Sequence, residues 1–210
     1  MLPYASLCFR KFAKQKYEDC FKEIMRVVLL HGAYGSPAEN WFPSLRAELE
    51  ARGIPCVSPR FPTPEGQTPV AWKEVLDAER ILLDEETVIV AHSLGPLFAL
   101  HLLEEPGIPI LGAFFVAPFL GPLGNRFDAV NKPFFKQFDT AAILRRLPHA
   151  WVYASDNDPF VPLALSRSFA HEIHAPVVVI KNAGHFNAAA GYRAFPELLA
   201  ALDELRKTQR

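Results

Sequence analysis

From residue 25 onward the chain alternates between short, continuous apolar runs and longer stretches whose apolar residues recur at helical spacing. The runs are Arg26-Val27-Val28-Leu29-Leu30, Cys56-Val57-Ser58, Thr87 to Val90, Ile110 to Ala117, Ala150-Trp151-Val152-Tyr153-Ala154 and Val177-Val178-Val179-Ile180. Most are rich in β-branched or aromatic residues and show no polar face, which predicts strands buried on both sides, as in a parallel sheet. Between them, Asn40 to Arg52 carries Trp41, Leu45 and Leu49 on one face and stops at Gly53, the pattern of a capped helix. Further helices are predicted over Val70 to Leu83, from Pro96 to about Glu105, over Pro162 to His174 and over Tyr192 to Lys207. Parallel neighbours need crossover connections, so six strands alternating with helices predict one sheet covered on both faces. Pro118 to Leu147 breaks the alternation and reads as a loop and a helix over the carboxyl end of the sheet.

Composition narrows the class. A chain of 210 residues, half of them apolar or aromatic, is long enough for one domain with a sizeable core. Its net charge of −1 gives no general attraction to nucleic acid or to an anionic membrane, and neither is expected as a partner. No apolar run approaches the roughly 18 residues that span a bilayer. The three cysteines, Cys8, Cys20 and Cys56, have no C-x-x-C spacing and are odd in number, so neither a disulfide framework nor a structural zinc site is expected, and a reducing cytoplasm is the expected compartment. Residues 1–24 stand apart: Arg10, Lys11, Lys14 and Lys16 precede any acidic residue, and the apolar positions keep no period. They read as an extension, an appendage or a start-site artefact rather than a targeting arm. The globular domain is expected over 25–210.

In open α/β sheets functional residues gather at the carboxyl ends of the strands. There the third run continues as Ala91-His92-Ser93-Leu94-Gly95-Pro96, a serine with a small residue two positions to either side, at the junction of a predicted strand and helix. That is the pattern of a nucleophile elbow, with alanine in place of the usual first glycine. A serine hydroxyl needs a base within reach, and the base needs an acid to fix its tautomer. His185, past the last strand, is the candidate base. Asp158, past the preceding strand, is the candidate acid, and the order Ser, Asp, His suits an α/β hydrolase. Asp156 competes with Asp158 but reads better as a turn or capping residue. The N–H groups of Leu94 and Ala33 are the expected oxyanion donors, with Tyr34 as the substitute for Ala33. The aromatics Tyr34, Trp41, Phe119, Phe160 and Phe186 flank the expected cleft and are the candidates for a substrate pocket. His92 should pack and hydrogen-bond, pointing away from Ser93, while His31, His101 and His149 carry no motif. Gly32-x-x-Gly35 lacks the lysine of a phosphate loop. His171 and His174 share a helix face without a third ligand, so no metal is expected.

Taken together, His31-Gly32-x-x-Gly35-Ser36-Pro37-x-x-Asn40-Trp41-x-Pro43, Ala91-His92-Ser93-Leu94-Gly95, Ser155-x-Asn157-Asp158-Pro159 and Asn182-x-Gly184-His185-Phe186 resemble the small serine hydrolases related to retinoblastoma-binding protein nine. The resemblance runs from Met25 to the C-terminus and implies an α/β-hydrolase fold with minimal lid, a triad at Ser93, Asp158 and His185, and no cofactor. The Leu-x-Cys-x-Glu motif behind that family name is absent, so binding to a retinoblastoma-type partner is not implied. The expected activity is cleavage of a small-molecule acyl substrate, an ester or amide, through an acyl-enzyme. The rival is a binding protein on the same fold without turnover.

Overall fold

A computed structural model describes residues 25–208, so the extension over 1–24 lies outside the described residues. Six parallel strands form one sheet in the order β2-β1-β3-β4-β5-β6. They are β1 (Arg26–Leu30), β2 (Cys56–Val57), β3 (Thr87–His92), β4 (Gly112–Val116), β5 (Ala150–Ser155) and β6 (Val177–Ile180). Among the described residues seven α-helices accompany them: α1 (Phe42–Ala51), α2 (Pro69–Ala78), α3 (Gly95–Glu104), α4 (Asp128–Asn131), α5 (Thr140–Arg146), α6 (Leu163–Glu172) and α7 (Pro196–Thr208).

The chain steps outward from β1 to β2, then returns across β1 to β3 and continues in that second direction. Because parallel crossovers are right-handed, a reversal of direction moves the connecting helix to the other face of the sheet. Accordingly α1 packs on one face through Phe42, Leu45 and Leu49, joined there by Leu198, Leu202 and Leu205 of α7. Helices α2, α3, α5 and α6 cover the other face. The two-residue period of the strands sorts their side chains between these layers. On β3, Val88 and Val90 meet α1 and α7, while Ile89 and Ala91 meet α2 and α3.

Helix α3 is the most enclosed. Eight of its ten residues are buried, and it lies between α2 and α5 as well as on the sheet. Phe98 sits at its centre, with ring centroids 5.3 Å from Trp72 and 5.4 Å from Phe61.

Two helix boundaries differ from the sequence expectation by four residues or more. Helix α2 stops at Ala78 rather than continuing to Leu83, because Arg80 turns left-handed (φ 56°) and the Ile81 N–H bonds back to Leu76 O. Helix α7 starts at Pro196, not Tyr192. Proline fits the first turn, and the residues before it form a loop that buries Phe195. The irregular stretch 118–147 folds into α4, a short 3₁₀ turn over Lys132–Phe134, and α5. Phe134 is buried against Trp72 and Phe98, and the Gln67 side chain donates to Val130 O and Asn131 Oδ1, fixing this stretch beside the carboxyl ends of β1 and β3.

Candidate active site

The reversal of strand order places the loops after β1 and β3 on opposite sides of a crevice, where α/β sheets hold their ligands. Ser93 stands at that point, with φ of 60°. This is the strained elbow conformation, and a non-glycine residue held there costs about 1–3 kcal/mol. The surroundings over-determine it. The Ser93 N–H is bound by Val116 O (2.9 Å), β3 is buried along its whole length, and Pro96 occupies the first turn of α3. Ala91, the departure from the usual motif, is wholly buried between Leu30 and Phe115 of the flanking strands. The crowding at Gly95 comes from β1 rather than from the chain before the serine, since a Cβ on Gly95 would collide with Leu30 O. A Cβ on Gly32 would lie 2.7 Å from the Ser93 Cβ, so the β1 loop approaches the serine as closely as backbone can.

Ala33 and Leu94, whose amides are the expected oxyanion donors, directly follow Gly32 and Ser93 in the chain. Neither N–H has an acceptor among the described residues, whereas the Tyr34 N–H donates to Thr63 Oγ1 (2.7 Å). Of the two sequence candidates in this loop, Ala33 is therefore the one with a free donor. His31 anchors the loop. The Phe61 N–H donates to its Nε2 (3.0 Å), so the neutral ring carries its proton on Nδ1 and gives it to Gly32 O (2.9 Å). Burial holds the His31 pKa below its ordinary value.

His185 and Asp158 come from the loops after β6 and β5. The His185 Nδ1–H donates to Asp158 Oδ2 (2.7 Å), which leaves Nε2 to face the Ser93 hydroxyl at 3.0 Å. Asp158 is almost wholly covered, and its Oδ1 accepts from the Phe160 and Val161 N–H groups (2.8 and 3.0 Å). Asp156 points elsewhere: its Oδ1 accepts the Asn182 N–H at 2.8 Å, the turn-fixing role expected of it.

The neighbouring residues repeat that bond. Ser155 Oγ accepts the Ala183 N–H (3.1 Å), and Asn157 Oδ1 accepts the Gly184 N–H (2.8 Å) and the Ser155 hydroxyl (2.8 Å). Sequence reasoning quoted Ser155 and Asn157 as parts of a motif without giving them a task. Their signal was a run of polar side chains at the end of an apolar strand. On the other side, the His92 Nε2–H donates to His185 O (2.9 Å), so the ring points away from Ser93 as expected. Burial, with the charge of His185 second, lowers the His92 pKa to about 3 and keeps the ring neutral.

A cavity of about 710 Å³ opens over Ser93 and His185. Tyr34 and Phe160 line it, in agreement with the sequence expectation, together with Leu123, Arg126 and Phe127. Trp41, Phe119 and Phe186 do not line it. Each is wholly buried, Trp41 and Phe186 against α1, α7 and Phe195, and Phe119 among the helices of the opposite face. Large rings near a cleft in sequence were drawn into the core by the greater apolar area they bury there. The wall that replaces them comes from the irregular stretch, where position could not be read from periodicity. Phe127 stands edge-on to Phe160 (5.3 Å) and Tyr34 (6.0 Å), and Phe160 edge-on to His185 (5.2 Å). Among the described residues no cluster of three metal-ligating side chains exists, and His171 and His174 are exposed on and just after α6. No helix among them is long and apolar enough to cross a membrane.

Comparison with known proteins follows the same outline. The family model described as serine hydrolase matches residues 27–204. The YdeN protein of Bacillus subtilis is 29% identical over 173 residues, covering 81% of this chain and 90% of that protein. Its crystal structure superposes with a TM-score of 0.81 at 28% identity, over 87% of this chain and 98% of the other. Serine hydrolase RBBP9 of Rattus norvegicus is 25% identical over 148 residues, covering 70% of this chain and 78% of that protein. Est1E from Butyrivibrio proteoclasticus, solved with ferulic acid bound, shares the fold with a TM-score of 0.66 at 16% identity, over 90% of this chain and 91% of the other.

Proposed function

The chain belongs to the serine hydrolase family, and from that premise we propose that it cleaves a small carboxylic ester or amide through an acyl-enzyme formed on Ser93. The observation that carries this reading is the unbroken relay from the Ser93 hydroxyl through His185 Nε2 (3.0 Å) and Nδ1 to Asp158 (2.7 Å). His185 takes the Ser93 proton as Oγ bonds to the substrate carbonyl carbon. The carbonyl electron pair moves onto oxygen, where the Ala33 and Leu94 N–H groups receive it. When the tetrahedral species collapses, the bond to the alcohol or amine breaks, and the protonated His185 gives its proton to that leaving group. Water, deprotonated by His185, then attacks the acyl-serine and releases the acid. Asp158 holds the ring in the required tautomer and stabilises the imidazolium throughout. The reading needs no cofactor.

The apolar and aromatic wall of Tyr34, Leu123, Phe127 and Phe160 supports a flat or apolar acyl group, with the ring edges available for stacking. A fluorophosphonate probe tests the chemistry: it should label the wild-type protein and fail on Ser93→Ala. Folded wild-type protein that resists the probe and turns over no ester in a chromogenic panel of increasing acyl length would end the enzymatic reading and leave the binding protein.

A further inference from the structure

We propose that Ser155, Asp156 and Asn157 are positioning residues for His185, acting as a template that holds the loop after β6 in the conformation from which the imidazole reaches Ser93. The inference rests on the proposed role of Ser93 and His185 and adds to it a cause for the position of the base.

The loop needs such a cause. Asn182, Gly184 and Phe186 all adopt left-handed backbone, with φ of 56°, 53° and 49°. Glycine takes this backbone freely, but Asn182 and above all Phe186 do not, which disfavours the loop conformation on its own. Packing restrains only part of it: Ala183 and Phe186 are buried in the core, but Asn182 is exposed, and β6 before it is an edge strand with Val178 and Val179 both exposed. The rest of the restraint comes from the side. Three successive backbone donors, the N–H groups of Asn182, Ala183 and Gly184, are each taken by a side-chain oxygen from three successive residues of the β5 loop: Asp156 Oδ1 (2.8 Å), Ser155 Oγ (3.1 Å) and Asn157 Oδ1 (2.8 Å). The Ser155 hydroxyl spends its own proton on Asn157 Oδ1 (2.8 Å), which orients both acceptors toward the loop. The next residue of the β5 loop, Asp158, then takes the ring of the next residue of the β6 loop, His185. Four consecutive residues of one loop thus read four consecutive residues of the other.

Asn157 occupies the most sensitive place, since its oxygen holds the N–H of Gly184, the residue immediately before His185. Gly184 cannot be exchanged to relieve the turn: a Cβ there would lie 2.7 Å from the Ala190 Cβ, on a left-handed backbone. Releasing the Gly184 N–H would therefore let the peptide rotate and carry the imidazole away from Ser93. Displacements of about 1 Å at a reacting group lower turnover by about 100-fold.

The test compares Asn157→Leu, which keeps size and removes the acceptor, with Asn157→Asp, which keeps an oxygen in place. On an ester that the wild type hydrolyses, Asn157→Leu should lower kcat by about 10- to 100-fold with KM within about 2-fold, and slow fluorophosphonate labelling of Ser93 in parallel, while Asn157→Asp restores most of both. In the wild type, amide hydrogen exchange at Ala183 and Gly184 should be slow, and in Asn157→Leu selectively faster. Should Asn157→Leu prove too unstable, Ser155→Ala carries the same expectations with loss centred on Ala183. A folded Asn157→Leu with wild-type kcat, or one whose kcat loss is not restored by Asn157→Asp, overturns the template. Failure of the serine reading would look different, because the wild type would then resist the probe and turn over no ester, or Ser93→Ala would keep its activity and its labelling.

Discussion

The proposed nucleophile and the proposed base are held by different means. Ser93 rides on a strand with all six residues buried and leads into a helix with eight of its ten residues buried, so its strained backbone is pinned by packing. His185 follows an edge strand with two exposed valines, and its strained loop is held by side-chain hydrogen bonds from the neighbouring loop in addition to the burial of Ala183 and Phe186. The comparison teaches that one site draws on two kinds of restraint. Packing is insensitive to polar chemistry but intolerant of lost volume, whereas a hydrogen-bonded loop tolerates volume change and depends on individual acceptors.

The largest effect expected from breaking this contrast lies on the polar side. Asp158→Asn should reduce turnover by about four orders of magnitude, the scale seen when the acid of such a triad loses its ability to fix the imidazole tautomer. Asp156→Asn keeps an acceptor for the Asn182 N–H and should cost less than about 10-fold, because the Asp156 carboxylate does not touch the ring. Steady-state kinetics on one chromogenic ester decide it. If the two variants exchanged their effects, the acid would have to be Asp156.

The packed side should break in stability rather than in chemistry. Phe98 is wholly buried on α3 among Phe61, Trp72 and Phe134. Phe98→Ala is expected to destabilise the fold by about 3–5 kcal/mol, with kcat of the folded fraction within a few-fold of wild type. Urea unfolding read beside kcat measured well below the midpoint separates the two quantities. A large kcat loss with little destabilisation would show that the elbow depends on more than packing.

The same division explains what could be read from the sequence. The strands β1, β3, β4 and β5 were legible because burial on both faces leaves an uninterrupted apolar run, whereas the edge strands β2 and β6 are partly exposed and were legible only as short β-branched runs in the alternation. The grouping of Ser93, Asp158 and His185 was legible because each follows a strand in a fixed order. Loop geometry was not. The burial of Trp41, Phe119 and Phe186 depends on which way a loop turns, and nothing in local periodicity records it. The cavity wall at Leu123 and Phe127 belongs to a stretch placed by tertiary bonds such as those from Gln67 to Val130 and Asn131, between residues more than sixty positions apart. Asn157 was visible only as a polar residue beside an acid. Its partner, the Gly184 N–H, is a backbone group that no side-chain pattern can announce.

The smallest expected effect concerns the residue where the two regimes meet. His92 ends the packed strand β3 and donates from Nε2 to the carbonyl of His185. Burial, and secondarily the charge of His185, lowers its pKa from 6.5 to about 3 in the folded protein, while the unfolded chain titrates near 6.5. At pH above 6.5 both states hold the ring neutral and its contribution to stability is fully present. As pH falls below 6.5 the unfolded state takes up a proton that the folded state refuses, so stability declines at about 1.4 kcal/mol per pH unit until the folded ring also titrates near pH 3. His31, likewise lowered by burial, adds a loss of the same sign. His92→Asn retains an N–H donor and removes the titration. Urea unfolding at pH 7 and pH 5 should then show a stability loss about 2 kcal/mol smaller in the variant than in the wild type. Parallel losses in the two proteins would mean that His92 is reached by protons in the folded state, and that the end of β3 is less closed than its neighbour Ser93 requires.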